Sequence, residues 1–242
     1  MTTAWFEDEL SLPERDLEDV AKVLSKQLKG DEREITADIR REARGSVRVF
    51  KPDWQEFIPD SGHRLLSSGK KNRYFATRLL FEFEIPKGNY AKGVRFTYAK
   101  CEAHLCASSG GSHPETYDLF PKDLYEGEAQ KVTVKFGPEI GIDKVGSASL
   151  GSIEADIHLG QLTPVIVGYF GFEKREPYWE IRPQTKALLG IQCLWLVISM
   201  PASCPGTQLA VMASADIQTT VGRIHIGPKE TDWDNRPSIL IE

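Results

Sequence analysis

Four cysteines in 242 residues cannot staple a fold together. A disulfide scaffold is therefore excluded, and any cysteine chemistry rests on single thiols. Charge of one sign is also lacking. Thirty Lys and Arg against 35 Asp and Glu leave a formal net charge of -5, which gives no general attraction to nucleic acid or to an anionic membrane. Long apolar runs are missing too. The longest, from Ala187 to Ile198, is interrupted by Gln192 and reaches about half of the ~20 residues a membrane helix needs. The N-terminal stretch is charged and has no apolar segment of the kind a signal peptide carries, so no membrane span and a cytoplasmic location are expected. No glycine-rich phosphate loop, G-x-S-x-G elbow or H-E-x-x-H helix occurs, and the chain is expected to need no cofactor.

What is present falls into two parts. Residues 1–45 read as a helical segment. Ser11-Leu12-Pro13-Glu14 fits a capping box, after which Leu17, Val20, Ala21, Leu24 and Leu28 recur at helical spacing, up to Gly30. A second, narrower stripe, Ile35, Ile39 and Ala43, runs to Gly45. From Ser46 onward the apolar period changes to two, and residues 46–242 are expected to form one β domain.

The stretch Lys186–Val221 reads as the centre of that domain, two long strands joined by a turn at 201–206. The first is apolar on both faces, as a doubly covered strand must be. The second alternates Leu209, Val211, Ala213, Ala215 and Ile217 against polar neighbours. Leu79, Phe81, Phe83 and Ile85 mark another strand. Beyond Val94, Phe96 and Tyr98 the apolar parity slips to Ala99, Cys101, Ala103 and Leu105, which predicts a bulge near Tyr98. Val132, Val134 and Phe136, and later Ile153, Ala155, Ile157 and Leu159, alternate as half-exposed strands. Ile239 to Ile241 can add a last short one. The fold class expected is mainly β, an antiparallel two-sheet sandwich of about nine or ten strands with an N-terminal helical segment.

The densest cluster of reactive residues is Cys101-Glu102-Ala103-His104-Leu105-Cys106, with His113 beyond it. On a strand His104 and Cys106 share a face and Cys101 does not, so a zinc site would be one ligand short and no metal is expected. A cysteine nucleophile with a histidine base is the catalytic alternative, with Cys106, His104 and His113 as its candidates and the serine- and glycine-rich segment 108–112 as an oxyanion site. Asp118, Asp123, Glu126 and Glu128 lack calcium-loop spacing. Arg64, Lys70, Lys71, Arg73 and Arg78 form a basic run beside Tyr74 and Phe75, but nucleic acid is not the expected partner.

The expectation that follows is a non-catalytic binding or interaction module. Long connections 52–71 and 107–130 would supply its recognition surface, and the helical lead-in would help association with another protein or a second copy. Ile35, Ile39, Trp54, Arg73 and Tyr117 are the interaction candidates. A hydrolase around His104, Cys106 and His113, and a structural subunit of a larger assembly, are the alternatives.

Overall fold

The chain opens with a strand rather than a helix. Ala4–Ser11 is β1, followed by α1 (Glu14–Leu28) and α2 (Glu32–Glu42). Then come β2 (Arg44–Phe50), β3 (Trp54–Phe57), β4 (Asn72–Glu84), a single turn of helix α3 (Lys87–Tyr90), β5 (Arg95–Ala107), β6 (Glu115–Phe120) and β7 (Asp123–Leu124). The remaining strands are β8 (Lys131–Thr133), β9 (Asp156–His158), β10 (Val165–Tyr169), β11 (Tyr178–Arg182), β12 (Gly190–Pro201), β13 (Thr207–Gln218), β14 (Arg223–Pro228) and β15 (Ser238–Ile241). This computed structural model describes residues 3–57, 72–107, 113–124, 131–133, 156–158, 165–183 and 188–241.

The helices form for local reasons, with two differences from the sequence pattern. Ser11 is not a cap, because β1 carries it into pairing with Arg44 and Gly227; Pro13 precedes α1 without a side-chain cap, and Glu14 and Asp16 in the first turn suit the helix dipole. Lys29, at φ 53, rather than Gly30 takes the left-handed closing position. Asp31 caps α2, accepting from the Arg33 amide at 2.7 Å. Residues 4–11 pair with β2 and β14, and Leu17, Ala21, Ile35, Ile39 and Ala43 bury into the same core as the strands.

The fold is mainly antiparallel β, but the strands do not divide into two separate sheets of a sandwich. Among the described residues thirteen of them join one sheet: eleven follow the order β6-β12-β4-β2-β1-β14-β13-β5-β11-β10-β7, while β15 pairs with β13 and β3 with β4. β14 makes the path continuous: Arg223 to Ile226 pair with β13, while Gly227 and Pro228 pair with β1. The two end strands, β6 and β7, are separated in sequence only by Pro121 and Lys122. There the Gly168 amide of β10 donates to the Lys122 carbonyl at 2.8 Å. The sheet is thus nearly closed on itself, and inward side chains such as Phe81, Phe83, Leu105, Trp179, Leu194 and Val211 share one core. A sheet closed in this way leaves few open edges.

The expected central hairpin is also different. β12 pairs with β4 and β6, whereas β13 pairs with β5, β14 and β15, so the turn after Pro201 carries the chain across the molecule. The doubly apolar character of β12 is nevertheless explained. Leu194, Leu196 and Ile198 face the core, and on the opposite parity Trp195 and Val197 are 4% and 0% exposed. The bulge is found where the parity slips, between Phe96 and Tyr98 opposite Ile217 and Asp216. β6 is hidden in the sequence because its buried positions include the polar Thr116 and Asp118.

The C-terminal tail is tied down by one buried cation. Arg236 pairs with Asp8, donates to the Val211 carbonyl at 3.0 Å and to the Glu230 carbonyl at 3.3 Å, and lies over the Phe6 ring. β15 then adds to β13, with Ile241 in the core.

Candidate functional site

β5 presents His104 and Cys106 on its outer face because Cys101, Ala103 and Leu105 take the inward parity. His104 Nε2 lies 2.8 Å from Cys106 Sγ, and His104 Nδ1 lies 3.5 Å from Glu176 Oε1. The imidazole stacks on Trp233, with centroids 5.2 Å apart. A thiol, an imidazole and a carboxylate therefore stand in line. The electrostatics run against a nucleophile, however. Burial pushes the Cys106 thiol up, Asp234 and Glu176 push it further, and Arg175 opposes them only in part. His104 Nδ1 is buried and among the described residues has no hydrogen-bond partner, since 3.5 Å to Glu176 is too long for one.

The third candidate stands apart from this pair. His113 precedes β6 and lines an open cavity of about 950 Å³ together with Asn72, Glu115, Lys174 and Ser199. Neither His104 nor Cys106 lines that cavity. The proposed oxyanion segment, 108–112, lies outside the described residues. Among the described residues no cluster of His, Cys, Asp and Glu has metal-binding geometry. Cys101 is fully buried, and its thiol is pushed well up by that burial. Asp118 bonds the Leu119 amide and pairs with Lys122 at 2.7 Å, while Glu126 and Glu128 lie outside the described residues.

The interaction candidates fare unevenly. Ile35 and Ile39, at 5% and 1% exposure, are buried in the core. The cause is the narrow α2 stripe, which packs inward instead of outward. Trp54 is half-buried and packs on the core. Arg73 is held by Glu56 at 2.9 Å and stacks over Phe75; Arg78 stacks over Trp195. Tyr117 is half-buried in an edge-on pair with Tyr74. Arg64, Lys70, Lys71 and most of the connection 52–71 lie outside the described residues, as does much of 107–130.

The feature that sequence reasoning undervalued is β8 and β9. Among the described residues they pair with each other and with no other strand, forming a two-stranded ribbon apart from the main sheet. Their register sets Val132 opposite Ile157 and Thr133 opposite Asp156, apolar with apolar and polar with polar. In sequence the ribbon lies between β7 and β10, which form an antiparallel pair of the main sheet. β7 and β10 are matched Leu124 to Ile166, and the chain leaves the sheet after β7 and returns at β10. The signal was present in the alternation around Val132 and Ile157. Only the pairing shows that the two segments belong together.

No helix among the described residues is long and apolar enough to cross a membrane, which leaves open a crossing by strands. No protein-family model matches the chain, and no curated protein matches it. Among solved structures it is similar to Clostridium perfringens delta-toxin, with a TM-score of 0.34 at 9% identity over 81% of this chain and 94% of that one. It is similar as well to the Clostridium perfringens NetB toxin in the membrane inserted form, with a TM-score of 0.30 at 9% identity over 82% of each chain. A third likeness is to a structure described as a pore forming protein, with a TM-score of 0.31 at 9% identity over 81% of this chain and 90% of that one. Likeness at this level leaves the function to be argued from the chain's own residues.

Proposed function

We propose that this chain is a non-catalytic protein that associates with copies of itself and inserts the ribbon segment 131–158 into a lipid bilayer as a β-hairpin. The single observation that carries this is the β8–β9 register combined with the alternation of the segment it belongs to. In the proposed hairpin, sequence parity would put Val132, Val134, Phe136, Pro138, Ile140 and Ile142 at the even positions of the outgoing leg. The odd positions are Lys131, Thr133, Lys135, Gly137, Glu139, Gly141 and Asp143. The returning leg would by the same parity set Ile153, Ala155 and Ile157 on one side and Glu154, Asp156 and His158 on the other. No charged residue falls on the apolar side of either leg.

Twelve residues at ~3.3 Å each reach about 40 Å, more than the ~25 Å apolar band a membrane strand must cross. A single hairpin in lipid would leave both edges unpaired at several kcal/mol per group, so the edges must be closed by hairpins from further copies. Self-association thus follows from the hydrogen-bond requirement. The polar side would face a water-filled lumen.

Leakage from dye-loaded vesicles of phosphatidylcholine mixed with phosphatidylserine tests this. The wild-type chain is expected to release dye. Val134→Asp and Ile140→Asp place a carboxylate on the lipid side and should abolish release while the melting curve in solution stays unchanged. Absence of release by the wild type, or equal release by both variants, would sink the proposal.

A second reading, a thiol hydrolase, is favoured by the line-up of Cys106, His104 and Glu176 alone. Its test is Cys106→Ala against a panel of ester and amide substrates. Any activity that survives this change belongs elsewhere.

A further inference from the structure

β7 ends and β10 begins at one end of the sheet. β10 begins with Val165 opposite Arg182, and Ile181 lies opposite Ala99 near the start of β5. That end is also where β4 runs into α3 and β5, and where β12 begins with Gly190 opposite Phe83. It carries exposed apolar side chains that the core does not use: Tyr90 is 53%, Leu189 39% and Ile191 54% exposed. Exposed Lys87, Lys92 and Arg95 flank Tyr90 along the chain. The acids of the same strand ends are engaged elsewhere: Glu82 lies 2.8 Å and Glu84 3.9 Å from Arg48. Among the described residues the three cations make no ion pair.

From this juxtaposition we infer that this end is a docking face for an anionic bilayer surface. Tyr90, Leu189 and Ile191 would enter the interfacial layer, and Lys87, Lys92 and Arg95 would meet lipid phosphates and carboxylates. The physical grounds are two. Aromatic and aliphatic side chains flanked by cations partition into the headgroup region, where an apolar body and a charge are both satisfied. Cations within a Debye length of an anionic leaflet are attracted one by one, so three together give cooperative, salt-sensitive binding despite the overall net charge of -5. The inference rests on the membrane reading above, and it adds to it which end faces the bilayer and which lipid charge is preferred. Docking by this end would set the ribbon at the bilayer before insertion.

Binding and leakage are measured separately. The full chain is sedimented with vesicles of phosphatidylcholine alone and of phosphatidylcholine mixed with phosphatidylserine. Binding is expected on the mixed vesicles and should weaken with added salt. The triple change Lys87→Gln, Lys92→Gln, Arg95→Gln should weaken it about a hundredfold. Ile191→Ser with Leu189→Ser should weaken binding to both compositions. All five positions are exposed, so unchanged melting curves serve as the control for folding. The docking face is refuted if the triple variant binds the mixed vesicles as the wild type does, or if the wild type binds neither composition. Val134→Asp separates the two proposals. Wild-type binding that needs the three cations, without dye release, supports the docking face and refutes the ribbon. Dye release that ignores the three cations refutes the docking face and supports the ribbon.

Discussion

At the scale of single residues, environment decides what a reactive group can do. Cys106 and His104 meet because a strand brings every second side chain to one face. What surrounds them holds the thiol protonated: burial comes first, then the carboxylate of Asp234. The folded thiol should therefore alkylate with iodoacetamide more slowly at neutral pH than free cysteine, and its rate should climb only above the ordinary thiol range. Asp234→Asn removes one cause and should speed the reaction severalfold; a rate equal to that of free cysteine in the wild type would contradict this account. The sequence showed the pair but not Asp234, which is distant in the chain and reaches the site only through the tail that Arg236 anchors.

At the scale of elements, the helices are fastened to the sheet through one buried carboxylate. Glu42, 1% exposed at the end of α2, accepts from the Thr220 hydroxyl at 2.6 Å, from the Thr220 amide at 2.9 Å and from Arg41 at 3.2 Å. Burial alone would raise this carboxyl, but the bonds from Thr220 and Arg41 outweigh it and hold the group below its ordinary range. A carboxyl lowered in the folded state adds stability that is complete above the unfolded value and is lost as pH falls through the folded one. The contact between the helices and the β13–β14 turn should therefore weaken in acid. Glu42→Gln should cost about 2 kcal/mol at neutral pH and flatten the acid limb of a urea-midpoint profile. An unaltered profile would show that the link does not hold the helices. Leu24 packing beside Gly222 supports the same junction. None of this was legible in the helix itself, where Glu42 sat among Glu32, Arg33, Glu34, Arg40 and Arg41 as one more surface charge.

At the scale of the whole molecule, near-closure of the sheet depends on a seam between its two ends. A Cβ at Gly168 would lie 2.3 Å from Leu119 Cδ1 and 2.6 Å from the Pro121 carbonyl, so only glycine lets β10 approach the β6–β7 link. Gly168→Val should open the seam at a cost of about 2 kcal/mol, read as a lowered urea midpoint. A midpoint at the wild-type value would mean that the ends are not held together there.

The sequence by itself determined the class of fold and several of its details. Period-two alternation, the doubly apolar β12, the parity slip near Tyr98 and the helical stripes of α1 and α2 are local consequences of which residues must be dry. The tertiary structure decided everything that depends on which dry faces meet. It put β12 between β4 and β6 instead of beside β13, drew β1 into the sheet and turned Ile35 and Ile39 inward. It carried one sheet almost around to its own beginning and joined Val132 to Ile157 in a ribbon. Alternation states that a strand has a dry side, and it is the same for every possible neighbour. Pairing across long separations is settled only when the whole core is packed and each backbone group has found a partner.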